Sequence, residues 1–209
     1  MRMRSLVAIV GLMTGSGMPI AAAEGRAAEV VTVRTYDAFG VAPPRLAAAR
    51  LAATTILGGA DLRVTWLACA AAAGVESPCS LPVKPHEVAV RIVSAPPEVP
   101  SAELGSALVD LVKRSGALAT IYEDHIEAVA ARAHGDPSAL LGRTIAHEIG
   151  HLLLGTSDHA GGGVMRGRWM DREVRGYAVQ DWAWSPSDVA LMHRHLLAPG
   201  PDDDGSQED

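Results

Sequence analysis

Three separate stretches of the chain read as strands, one by its β-branched residues and two by alternation of apolar and polar positions. Val30 to Tyr36 is a β-branched run, Leu62, Val64 and Trp66 alternate with Arg63 and Thr65 on the way into Cys69, and Val88, Val90 and Ile92 alternate with Ala89 and Arg91. A period of two puts one set of side chains on each face of a strand, so these stretches predict half-buried strands, and Leu118 to Tyr122 predicts a fourth. Between the first two lies an Ala-rich segment from Arg45 to Leu57, opened by Pro43-Pro44 and closed by Gly58-Gly59. Proline at the start and glycine past the end are the usual punctuation of a helix. Pro96-Pro97 and Pro100 mark a surface connection, and Ser101 to Ser115 is expected to hold a short helix. Glu123-Asp124-His125 reads as a polar stretch able to line a cleft.

A longer helix follows. Asp136 is its N-cap, Pro137 its first turn, and the apolar run to Leu154 ends at Gly155. Beyond it the chain is polar and Gly-rich until Ser185-Pro186-Ser187-Asp188, a capped start for a last helix reaching about Leu197. The predicted class is α+β: a small mixed sheet packed on two helices, then a short, mostly irregular C-terminal part ending in a helix.

Candidate chemistry sits at the end of the long helix, where His147-Glu148-Ile149-Gly150-His151 reads HExxH. Residues four apart share a helical face, so His147 and His151 can offer two imidazole nitrogens to one metal ion. Glu148 is placed beside such an ion rather than on it, where it can act as general base toward a water. The donors suit Zn²⁺, which is catalytic when three protein ligands leave a fourth position open. His159 is the preferred third ligand, because Gly155 can turn the chain back toward the helix face. Asp158 is an alternative ligand or a hydrogen-bond acceptor to one. Asp171 stands where another class of zinc enzyme places an acidic ligand on a following helix, but the glycines at 161–163 and the lack of an apolar period argue against a helix there. Glu173 is a weaker candidate still. His193 and His195, two apart, cannot share a helical face and read as solvated or partly buried residues. Trp169, Trp182 and Trp184 are expected to cover the C-terminal part, with one available to wall a cleft. Tyr177 could donate to an oxyanion, though a structural hydroxyl fits it better.

HEIGHLLLGTSDH followed by Gly163-Val164-Met165 resembles the zincin metallopeptidases, and among them the metzincins, with their HExxHxxGxxH helix and loop and a later methionine turn. The resemblance implies His147, His151 and His159 as zinc ligands, Glu148 as general base, Gly155 as the turning residue and Met165 as the turn methionine. The match covers Ile145 to Met165. It departs from the pattern by one extra residue on each side of the glycine, HExxHxxxGxxxH, so that Ser157 stands where the third histidine usually falls. The implied activity is zinc-dependent hydrolysis of peptide bonds in a protein or peptide substrate. A non-protein amide and a closed, non-catalytic zinc site are the alternatives.

Composition narrows the setting. The 209 residues are 48% hydrophobic and 4% aromatic, enough for one domain with an Ala, Val and Leu core. Arg2 and Arg4, the apolar run Leu6 to Met13 and Ala21-Ala22-Ala23 predict a signal peptide over residues 1–23, leaving a domain over 24–198 and an acidic disordered tail over 199–209. Loss of that leader removes two of the 18 basic residues and no acid, so the net charge of -6 becomes -8. An acidic chain without a basic patch is a poor partner for nucleic acid, and the lack of a long apolar run argues against stable membrane insertion. Cys69 and Cys79, in the exported part and ten positions apart, predict a disulfide. A secreted or periplasmic monomer is expected.

Overall fold

The computed structural model describes residues 28–70, 77–176 and 178–198. The predicted signal peptide, the acidic tail and Tyr177 lie outside the described residues.

Five strands form one sheet in the order β2-β1-β3-β5-β4. They are β1 (Glu29–Asp37), β2 (Leu62–Cys69), β3 (Glu87–Val93), β4 (Gly105–Asp110) and β5 (Ser115–Tyr122). β1 pairs in parallel with β2 and with β3, β3 pairs in parallel with β5, and β4 alone runs antiparallel, as the partner of β5 at the sheet edge. The parallel core strands carry Val31, Val33, Val90, Ile92 and Ile121, all at most 1% exposed. Two helices, α1 (Pro43–Gly58) and α3 (Pro137–Leu154), lie side by side on the sheet. They approach closely because Gly142 has no side chain: a Cβ there would stand 2.4 Å from the Ala49 carbonyl oxygen and 2.7 Å from the Ala52 Cβ. Ala49, Ala53 and Leu57 of α1 close the core against Leu141, Ile145 and Ile149 of α3. The architecture is the predicted α+β class, with a mixed sheet.

Three expectations fail. The segment from Ser101 to Ser115 holds no helix; it supplies β4 and the turn into β5. Glu123-Asp124-His125 is not an open polar stretch but the first turn of a helix, α2 (Glu123–Ala133), which packs on α3, so the helical layer is larger than the two helices expected. A five-residue helix, α4 (Asp171–Arg175), forms where the glycines and the missing period argued against one. Its start is held by the Glu173 carboxylate, which accepts from the Met170 backbone N–H at 2.7 Å.

The C-terminal part ends in α5 (Pro186–Leu197), capped as predicted by Ser185, whose hydroxyl accepts from the Asp188 N–H at 3.1 Å. Its histidines work as ties to the body of the protein. His193 donates through Nε2 to the Ala60 carbonyl at 3.0 Å, and His195 through Nδ1 to the Leu153 carbonyl at 3.0 Å. Trp184 adds a bond from Nε1 to the Ile56 carbonyl at 2.7 Å. At the other end of the sheet, the predicted disulfide joins Cys69 to Cys79 with their Cα atoms 5.6 Å apart.

Candidate metal centre

The last two turns of α3 build the site. Asp136 caps the helix, its carboxylate accepting from the Ser138 N–H at 2.8 Å, and Gly155 ends it at φ +61°. A left-handed residue there is where glycine costs least, and a side chain would collide with the Arg114 carbonyl oxygen, 2.1 Å from an added Cβ. The chain therefore turns sharply and passes back across the helix.

That return fixes both helix histidines. The Val164 carbonyl accepts from His147 Nδ1 at 2.7 Å, and the Thr156 carbonyl accepts from His151 Nδ1 at 2.9 Å. A carbonyl oxygen only accepts, so each Nδ1 carries the proton and each Nε2 presents a lone pair. The two Nε2 atoms stand 3.1 Å apart. Lone pairs held face to face at that separation repel, and a cation between them removes the repulsion. Two nitrogens on one tetrahedral zinc, each about 2.0–2.1 Å from it, would stand about 3.3–3.4 Å apart. His159 completes the group: its ring lies 5.2 Å from the His147 ring and 4.9 Å from that of His151, and one ligand atom from each of the three residues lies within 4.8 Å of the others. Gly167 admits it, since a Cβ at that position would press on the imidazole at 2.8 Å.

Burial lowers His147 to about 4, so its ring is neutral near pH 7; His151 is lowered too, again chiefly by burial. Glu148 is 5% exposed, and burial, with the charge of Glu103 second, raises it to about 8. A carboxylate with no cation beside it behaves in this way, and a divalent ion at the histidines would draw it down. The donor set, the tautomers and the neighbouring acid together fit zinc.

Below the histidines, the Met165 sulfur and the Trp184 ring pack beneath Gly150, where an added Cβ would meet them at 2.6 and 2.7 Å. Met165 is 3% exposed and its carbonyl accepts from the Ala160 N–H at 2.8 Å, which closes the loop carrying His159. Trp169 walls the site, edge-on to His147 with ring centroids 5.5 Å apart. The group opens into a cavity of about 1000 Å³ whose lining includes Glu103, Ser106, Arg132, Trp169 and Asp171.

The close ligand cluster among the described residues is made of the three histidines and includes none of the acidic candidates. Asp158 is exposed, and its backbone N–H bonds to the Thr156 hydroxyl at 3.0 Å. Asp171 lines the cavity from the start of α4. Glu173 is buried and engaged in an ion pair with Arg166. Sequence reasoning missed Arg143, four residues before His147 and 2% exposed. It donates to the carbonyls of Glu173, Val174 and Gly176 at 3.2, 3.1 and 2.9 Å, and its guanidinium lies 4.1 Å from the Trp182 ring centroid. A cation inside an otherwise apolar helix was the available signal, because burial of an arginine requires partners from elsewhere in the fold.

The fold has a solved counterpart. Archaemetzincin from Methanopyrus kandleri superposes with a TM-score of 0.53 at 16% sequence identity, over 82% of this chain and 97% of that one. A zinc-dependent peptidase from Methanocorpusculum labreanum (strain Z) matches at a TM-score of 0.46 and 12% identity, over 77% of this chain and 99% of that one. No protein-family model and no curated protein matches the sequence. The chain thus has a metzincin-like α+β fold with a three-histidine cluster at the end of its long helix.

Proposed function

We propose that this protein is an exported zinc-dependent metalloendopeptidase, with His147, His151 and His159 as ligands and Glu148 as general base. One observation carries the reading: two Nε2 lone pairs, locked by carbonyl acceptors on both Nδ1 atoms, meet 3.1 Å apart beside a third imidazole and a buried carboxylate. The likeness to archaemetzincin supports it at the level of fold. Export rests on the charged, apolar and small-residue order of residues 1–23.

Zinc held by the three histidines would supply Lewis acidity, polarising the scissile carbonyl and acidifying a water. The protein's own residues supply the remainder. The Val164 and Thr156 carbonyls keep His147 and His151 in the tautomer that leaves Nε2 free. Glu148 takes the proton from the attacking water on its carboxylate and delivers it to the leaving amine nitrogen. Trp169 excludes water from one side, and the open cavity of about 1000 Å³ has room for an extended peptide. An open cavity disfavours a closed, purely structural metal site.

The test is Glu148→Gln. Zinc content measured by atomic absorption should stay at the wild-type level, while cleavage of an unfolded protein falls at least about 100-fold, the scale of a lost general base. Undiminished cleavage would remove Glu148 from that role.

A further inference from the structure

The β4–β5 hairpin, whose first strand lines part of the cavity, ends in an apolar tip. Leu108, Leu111 and Val112 are 72%, 61% and 93% exposed, and Val112 is the most exposed large apolar side chain among the described residues. Single exposed apolar residues are ordinary on a protein surface, but here Leu108 at the end of β4 and Leu111 and Val112 on the turn fall within five positions of one hairpin end. The turn is built rather than slack. The Asp110 carboxylate accepts from the backbone N–H groups of Val112 and Lys113, each at 3.0 Å. Its base is seated on the active-site helix, with the Arg114 carbonyl in the space a Gly155 side chain would occupy and Gly116 against Leu152. Lys113 and Arg114, both exposed, follow the apolar residues directly.

We infer that this tip docks the protein on an anionic phospholipid surface. Leu111 and Val112 enter the boundary between headgroups and acyl chains, Leu108 follows along the strand, and Lys113 and Arg114 pair with lipid phosphates. The charge pattern points to this partner: Lys113 and Arg114 outweigh Asp110, the acid within residues 108–116, and give the turn a positive balance on a chain of net charge -6. Repulsion from the rest of that charge is screened beyond about 8–10 Å at physiological salt, so the local pair governs the contact. β4 runs from Gly105 on the cavity wall to Asp110 beside the tip. The cavity lining reaches along β4 to Ala107, three residues before Asp110, so at about 3.3 Å per residue docking would hold the near edge of the cleft roughly 10 Å from the tip. The inference does not depend on the peptidase reading, since its readout is binding.

The experiment is co-sedimentation of the purified protein with vesicles of phosphatidylglycerol and phosphatidylcholine in equal parts, against vesicles of phosphatidylcholine alone. Binding to the anionic vesicles is expected, weakening as salt is raised. Lys113→Gln should reduce it about fivefold, from the worth of one basic residue near an anionic surface. Leu111→Ser combined with Val112→Ser should reduce it at least tenfold, with the melting temperature unchanged because both side chains are exposed. No binding to either vesicle, or binding indifferent to both changes, would overturn the inference. So would a tip-dependent dimer in solution that leaves vesicle binding unaltered.

Discussion

Gly150 shows at one residue how the metal centre constrains the sequence. Alanine in place of a helical glycine normally stabilises by about 1 kcal/mol. Here the added Cβ would meet the Met165 sulfur at 2.6 Å and Trp184 ring atoms at 2.7 and 2.9 Å. Overpacking of a well-filled core costs about 1–3 kcal/mol, so the penalty prevails and Gly150→Ala should lower the melting temperature measured by calorimetry. Glu123 gives a second residue-scale prediction. Its side chain is fully buried and paired with Arg45 at 2.5 Å, yet burial outweighs the arginine and raises it from 4.5 to about 7. The folded state therefore holds this proton more tightly than the unfolded chain. The resulting stability is complete below about 4.5 and is lost as pH rises through about 7. Glu123→Gln should remove that loss, so the melting temperature of the variant relative to wild type should climb across this window. An unchanged difference would mean that the carboxyl stays ionised throughout.

At the scale of elements, legibility followed capping and burial. α3 could be read because both its ends carry chemistry in the sequence, Asp136 and Pro137 at one and Gly155 at the other. Asp136→Ala should cost about 1 kcal/mol in denaturant unfolding, the ordinary worth of an N-cap bond. α2 was missed because its N-cap is Tyr122, which makes no side-chain capping bond, and its acidic first turn looks like loop. β4 was missed because it is a short edge strand: its alternation, with Ala107 and Val109 on the core and Leu108 and Asp110 exposed, spans only four residues, and a shift of register between Leu108 and Val109 interrupts the ladder. α4 is too short for a helical period, and its start depends on Glu173 reaching back to Met170. Within the site, four-residue spacing was enough to put His147 and His151 on one face. The position of His159 depends on a loop whose path is set by the Val164 and Met165 carbonyls and by the absence of a side chain at Gly167, and spacing alone does not contain these.

The whole molecule joins a sheet-and-helix body to an irregular C-terminal part through a few long-range ties. His193, His195 and Trp184 fasten α5 and its approach, while Arg143 reaches from α3 to the chain around α4. Removal of Arg143 should therefore disturb the cavity wall as well as stability. At the opposite edge, the Cys69–Cys79 disulfide closes a loop with a sequence separation of 10. Loop entropy for a closure of that length is worth roughly 2–3 kcal/mol, so reduction should lower the denaturant midpoint by a corresponding amount. The loss need not reach the metal centre, because β2 and the histidine helix lie at separate parts of the sheet. The central claim concerns that centre. Its most direct test is zinc content per chain in wild type, His159→Ala and Asp171→Ala, with cleavage of an unstructured protein followed in the same samples. One zinc per chain, lost with His159 together with chelator-sensitive cleavage and retained in Asp171→Ala, is the predicted result. Zinc retained in His159→Ala but lost in Asp171→Ala, or no zinc in the wild type, would contradict it.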